Sequence, residues 1–270
     1  MSRRRTDFTG PALIRLLARI NAAQLPESQQ AFADRLSQWL GWTDAIALSA
    51  ALNGVPGNAP ANAPLADARS SLANAEEGEC ARVRDSLAQS IAQDNLFAPP
   101  RAEPVKAASR GTLYVRGAPI EAPPPPAPVV DESDFTPYRL RYQARQQAME
   151  AGIGALRDKL RARLATRSGE PAKLAALDGV MEHVLGEQER RLLGALPSQL
   201  EKHFHRLRKE ERATTVEGDE QQAPARPPEE PWLHRFGQDA QAMLLAELDI
   251  RFKPVEGLLE ALRKPAPQAH

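Results

Sequence analysis

The stretch TPYRLRYQARQQAMEAGIGALRDKLRARL, residues 136–164, decides the fold. Thr136-Pro137 opens a helix, because proline is tolerated in a first turn where its missing N–H is not needed. Tyr138, Tyr142, Met149, Ile153, Leu156, Leu160 and Leu164 recur at steps of three, four or seven. That spacing places them on one face of an amphipathic helix of about thirty residues, roughly 45 Å long at 1.5 Å per residue. Ser168-Gly169 then turns the chain, and Pro171 starts a second helix. Leu174, Leu177, Met181, Val184, Leu185, Leu192, Leu196, Leu200, Phe204 and Leu207 carry the same periodicity onward. Pro197 must kink or break this helix. So short a turn implies an antiparallel helical hairpin over 134–212.

Downstream, 213–230 reads as an acidic, proline-rich linker. Pro231-Trp232 opens a last helical segment, 231–263, carrying Phe236, Met243, Leu244, Leu248, Phe252, Val255, Leu258, Leu259 and Leu262, with Pro254 as an interruption. This segment is expected to fold back over the seam of the hairpin, giving an elongated, antiparallel, coiled-coil-like bundle of three helices. Upstream, 98–133 is dense in proline, including the run at 123–126, and is expected to be an extended or disordered linker. Inside it, 111–117 is the only strand-like string. It reads either as a disordered stretch with chance β character or as a segment that adds to a partner's sheet edge.

Residues 9–97 read as a small N-terminal helical domain. Thr9 or Gly10 can cap a helix with Pro11 in its first turn. A second helix carries Phe32, Leu36, Trp39 and Leu40 until Gly41 interrupts it. Thr43 then caps a short helix with Asp44 at the positive end of its dipole, and Asn53-Gly54 stops it. A weaker helix over 65–93 has Leu72, Val83, Leu87 and Ile91 as its larger apolar positions. The fold class is therefore all-α: a small helical domain and a helical bundle joined by proline-rich linkers.

The 270 residues carry 35 basic and 35 acidic side chains, so any nucleic-acid or membrane binding must be local. Cys80 is the only cysteine, which rules out an internal disulfide and a cysteine-based zinc set and favours a reducing compartment. Arg15 and Arg19 break the apolar run after the basic N-terminus, so it does not read as a secretory signal. No stretch approaches the ~20 apolar residues needed to span a bilayer.

No reaction chemistry assembles from the motifs. A Gly-x-Ser-x-Gly elbow and a glycine-rich phosphate loop are both missing, and no Glu-x-x-His pair repeats. His203 and His205, two apart, point about 200° from each other on a helix and cannot share a metal. No catalytic residue, metal or cofactor is assigned. Two surfaces remain for binding. Arg157, Lys159, Arg161 and Arg163 flank the Leu156, Leu160 and Leu164 stripe. They form either a docking surface for phosphates or acidic groups, or one side of internal pairs with Asp178, Glu182, Glu187 and Glu189 on the next helix. The internal pairing is favoured. Trp39 and Trp42, with Leu36, read as core of a small domain or as the lining of a groove for a partner helix.

The block PALIRLL (11–17) and the block LSQWLGWTDAIALSAAL (36–52) resemble the N-terminal signature of an uncharacterised proteobacterial family catalogued as a domain of unknown function. The helix at 138–164 and the closing WLHRF (232–236), LAELD (245–249) and PVEGLLEAL (254–262) look like that family's C-terminal blocks. The resemblance carries no activity or catalytic residue. It implies association with proton-channel proteins of the flagellar-stator type and with peptidoglycan-binding envelope proteins, hence a cytoplasmic accessory of an envelope machine.

The leading expectation is a non-enzymatic helical adaptor that binds other proteins, with Leu36, Trp39, Trp42, Leu156, Leu160 and Leu164 as candidate contacts. The alternative is nucleic-acid or anionic-membrane binding through the basic helix at 139–167. Nucleic acid is the less favoured partner, and a homo-oligomer stays open.

Overall fold

The computed structural model describes residues 11–21, 32–53, 66–97, 134–167, 169–217 and 231–264. Among these, the chain forms eight helices and no strand: α1 (Ala12–Asn21), α2 (Phe32–Trp39), α3 (Trp42–Asn53), α4 (Ala66–Ala92), α5 (Thr136–Ala165), α6 (Glu170–Leu193), α7 (Leu196–Glu217) and α8 (Trp232–Arg263). The expected all-α class is what the chain adopts. The segment 111–117 and nearly all of both expected linkers lie outside the described residues, as do Thr9, Gly10 and the side chain of Leu72.

Helix α5 starts as its sequence demands. The Asp134 carboxylate accepts a hydrogen bond from the Thr136 N–H at 2.8 Å, satisfying a first-turn donor, and Pro137 follows. All seven apolar stripe positions are buried. Gly169, at φ 78°, makes the left-handed turn into α6, a backbone region that favours glycine. Residues 157 and 178, and 146 and 193, are bonded across α5 and α6, so the two run antiparallel. Pro197 acts through a clean break: α6 ends at Leu193, and the proline falls in the first turn of α7, where no N–H is needed. Helix α7 runs on to Glu217, past the expected boundary at Ala213.

Two local expectations need correcting. Pro254 does not interrupt α8, which is continuous from Trp232 to Arg263. An interior proline costs about 3 kcal/mol, but Phe252, Val255 and Leu258 are buried on either side of it, and each such side chain contributes ~1.5–3 kcal/mol. The start of α3 also differs. Trp42 is already helical, and the Asp44 carboxylate reaches back to accept from the Gly41 N–H at 3.0 Å. Gly41 is therefore the capping position and Thr43 lies inside the first turn.

The largest difference is in organisation. Leu13 and Ile20 of α1, Cys80 and Ile91 of α4, and Phe97 just after it belong to the same apolar core as α5, α7 and α8. Helix α8 packs against α1, α4, α5, α6 and α7, while α3 rests on α6. The N-terminal helices are thus not a module packed independently of the bundle; α1 and α4 are layers of it. Helix α4 runs antiparallel to α8, tied by Arg84 to Asp249 (2.6 Å) and Glu256 (3.3 Å) and by Glu77 to Arg263.

Gly237 explains how closely the chain after α4 approaches α8. A Cβ on Gly237 would lie 2.2 Å from the Phe97 carbonyl oxygen, and a backbone atom cannot swing aside. Gly237→Ala is expected to destabilise the fold by about 1–3 kcal/mol despite alanine's better helix propensity. Gly154→Ala in α5, where nothing lies within 4 Å, is expected instead to stabilise by roughly 0.5–1 kcal/mol. Urea midpoints of the two variants check the contrast.

Candidate functional site

The four basic residues of the candidate patch on α5 lie between carboxylates of α6 and α4. Arg157 makes a forked contact with Asp178, both bonds at 2.8 Å, and a longer one to Glu182 at 3.2 Å. Arg161 pairs with Asp178, Glu182 and Asp158. On the other flank, Lys159 meets Glu76 at 3.2 Å and also Glu79, and Arg163 meets Glu76 at 3.3 Å. All four members of the candidate patch therefore hold carboxylates of their own chain. Asp178 and Glu182 could be anticipated from the antiparallel hairpin. Glu76 and Glu79 could not, because only the shared core brings α4 alongside. Glu189 turns instead to Arg251, at 3.5 Å.

The six apolar candidates separate. Leu156, Leu160 and Leu164 are core residues, with no surface to offer a partner. Leu36 and Trp39, on α2, are half-buried. Trp42 is 83 % exposed, so the core reading of this tryptophan is corrected. The geometry of α3 gives the reason. Ala51, its one buried residue, lies nine positions from Trp42, two and a half turns, and so on the opposite side of the helix. Ile46, one turn from Trp42, is 55 % exposed on the same outer side. Helix α3 is apolar on nearly every face, a composition suited to a helix surrounded by protein, yet among the described helices its main packing is against α6.

Two buried polar networks carry residues that the sequence reading missed. The first centres on Glu247 of α8, 0 % exposed. It accepts from the Tyr142 hydroxyl at 2.9 Å, from the Gln146 amide at 3.0 Å and from Arg251 at 2.9 Å. The Gln146 amide also donates to the Leu193 carbonyl at 2.9 Å, satisfying the C-terminal end of α6 where the chain breaks. Burial pushes the Glu247 carboxyl above its ordinary value despite the pull of Arg251, Gln146 and Tyr142. Burial and the adjacent Glu247 push the Tyr142 hydroxyl well above the usual phenol range. The signal was present: Gln146 and Glu247 are polar residues at positions where the apolar stripes of α5 and α8 require burial.

The second network centres on His203, on α7, also buried. The Arg206 guanidinium donates to its Nδ1 at 2.9 Å, which makes Nδ1 an acceptor; Nε2–H therefore donates to Asp239, at 2.8 Å. Asp239 also takes Arg19 of α1 at 2.6 Å, and Arg206 holds the Ile20 carbonyl at 3.1 Å. Burial pushes the Asp239 carboxyl up, but His203, Arg19 and Arg235 outweigh it and hold it below its ordinary value. With both ring nitrogens engaged, His203 has no lone pair left for a nucleophile or metal. The network joins three helices, α1, α7 and α8.

Among the described residues, no group of three or more His, Cys, Asp or Glu could hold a metal, and no buried side-chain polar atom lacks a partner. Glu201 pairs with Arg139, and His205 is exposed. Cys80 is buried; burial and the nearby Glu76 and Glu79 raise its thiol above the ordinary value, away from reactive thiolate. An open groove of about 340 Å³ is lined by Glu79, Arg82, Val83, Ser86 and Leu87 of α4. Its polar groups do not converge on an enclosed point, as a small-molecule site requires. No described helix is long and apolar enough to cross a membrane.

No curated protein and no solved structure matches the chain. A family profile does match, over residues 1–264, in agreement with the resemblance carried by the tryptophan-bearing and closing blocks. The chain belongs to the family described as "Protein of unknown function (DUF3348)".

Proposed function

We propose that this protein is a non-enzymatic helical adaptor, working in the cytoplasm, that docks a partner protein on the outer face of α3. The observation that carries this reading is Trp42, 83 % exposed on a helix whose composition suits burial. Tryptophan combines a large apolar area with few rotatable bonds and is enriched among residues that dominate binding energy. Ile46 extends the same surface, and Leu52 adds exposed apolar area at the end of the helix. The satisfied interior supports a binding role over catalysis. An accessory role in an envelope-associated complex is the setting that the resemblance suggests. The alternative, phosphate binding by Arg157, Lys159, Arg161 and Arg163, would have to break ion pairs that these residues already make.

Affinity purification from the native cell, with wild type, Trp42→Asp and Arg157→Gln side by side, tests the proposal. Trp42→Asp is expected to weaken capture of the partner by about 2 kcal/mol or more, roughly thirtyfold. Its own unfolding should stay within about 0.5 kcal/mol of wild type, as for an exposed position. Capture should survive high salt. Undiminished capture by Trp42→Asp, or steep loss of wild-type binding with salt, would count against the docking face.

A further inference from the structure

The network around His203 has a directional consequence for α1. This helix has ten residues, too few to be stable by itself, and Leu13 and Ile20 are its only buried side chains. Its C-terminal end is held by two polar bonds: Arg206 to the Ile20 carbonyl, and Arg19 to Asp239. Both run through groups that also contact His203. The charged groups around the ring are Asp239 and Arg235 on α8, Arg206 and Glu210 on α7, and Arg19 on α1.

We propose that His203 is a proton-operated latch for α1. A proton arriving at Nδ1 displaces the Arg206 guanidinium, and with it the bond that holds the Ile20 carbonyl. The sign follows from linkage. Docked α1 brings Arg19 up to Asp239 and fixes Arg206 against Nδ1, and both oppose a second proton on the ring. Protonation must therefore oppose docking by the same factor, so α1 loosens as pH falls. Asp239 belongs to α8 and stays beside the ring whether α1 is docked or released. Its attraction for the imidazolium favours protonation in both states and leaves the difference to Arg19 and Arg206. The displaced guanidinium still has Glu210, 2.8 Å from its other nitrogen, so the open state strands no charge.

Hydrogen exchange on the full chain tests this, with rates corrected for their intrinsic pH dependence. Between pH 7.5 and 5.5 the α1 amides are expected to open about tenfold more often, while α8 amides keep their protection. His203→Gln can still donate to Asp239 but takes up no proton, so its α1 protection should not respond to pH. Nitrogen shifts of the wild-type ring give a second readout if that variant misfolds. Proton uptake at Nδ1 and the opening of α1 should follow the same pH course. Four results would each overturn the latch: α1 protection that ignores pH, a pH response that survives His203→Gln, loosening of α8 by the same factor, or a ring titration displaced from α1 opening.

Discussion

Phe236→Ala is expected to cost about 3–5 kcal/mol, the range for removing a fully buried aromatic ring. Phe236 is 0 % exposed and lies where α8 meets α5, with its N-cap residue Phe135, and α7. Its ring centroid is 5.2 Å from Tyr138 of α5, 5.1 Å from Phe204 of α7 and 6.1 Å from Phe135 just before α5. All three contacts are edge-to-face, the arrangement in which the positive edge of one ring meets the negative face of another. The backbone on both sides is held in α8, and Gly237 sits directly against Phe97, so the helix cannot collapse into the space left behind. Chemical denaturation of Phe236→Ala and Phe236→Leu checks the claim, with the leucine variant losing markedly less. A loss below about 1 kcal/mol for alanine would mean that α5, α7 and α8 do not share a core here.

Glu247→Ala is expected to cost a similar amount, about 3–5 kcal/mol, for a different reason. The substitution removes the acceptor for Tyr142, Gln146 and Arg251 together. Arg251 is left nearly buried, with Glu189 at 3.5 Å its remaining carboxylate partner among the described residues. Most of the loss is thus the orphaned cation, which predicts a cycle. Glu247→Met combined with Arg251→Met should recover much of what Glu247→Met alone loses, because an apolar pair in place of a buried ion pair is often neutral. The pH dependence has a definite sign. A carboxyl whose folded value lies above its unfolded one contributes stability while protonated. That contribution is present below the ordinary glutamate range, near pH 4.5, and fades as pH rises through the raised value. The wild type should therefore show a downward stability slope above pH 4.5 that Glu247→Gln lacks, measured by urea midpoints at stepped pH.

The fold was legible where one stripe decides it. Tyr138 through Leu164 and the long run ending at Leu262 are periodic in large apolar residues, and burial follows the period. Helix α4 was legible as a helix but not in its placement. Its contact residues, Cys80, Val83, Leu87 and Ile91, recur at helical spacing, but such a stripe does not name the helix it meets, and its docking also rests on ion pairs whose partners on α5 and α8 lie far along the chain. The close approach at Gly237 was invisible for the same reason: a glycine in a helix gives no sign of which backbone it admits. At the candidate sites, charge alone marked Arg157 and Arg161, and antiparallel geometry gave their partners Asp178 and Glu182. Trp39 and Trp42 looked equivalent in sequence because α3 is apolar on most faces, so periodicity could not say which side met α6. Gln146 and Glu247 carried a readable signal in their stripe positions; His203 and Asp239 did not, since their network includes α1.

Site-specific photocrosslinking in the native cell tests the adaptor reading most directly. A photoreactive phenylalanine analogue would be placed at position 42, with a second chain carrying it at the exposed residue 162 of the basic helix. Under the docking account, position 42 yields a discrete protein adduct that persists in high salt and disappears when Ile46→Asp is added. Adducts formed only from position 162, or a nucleic-acid adduct there with none at 42, would contradict it.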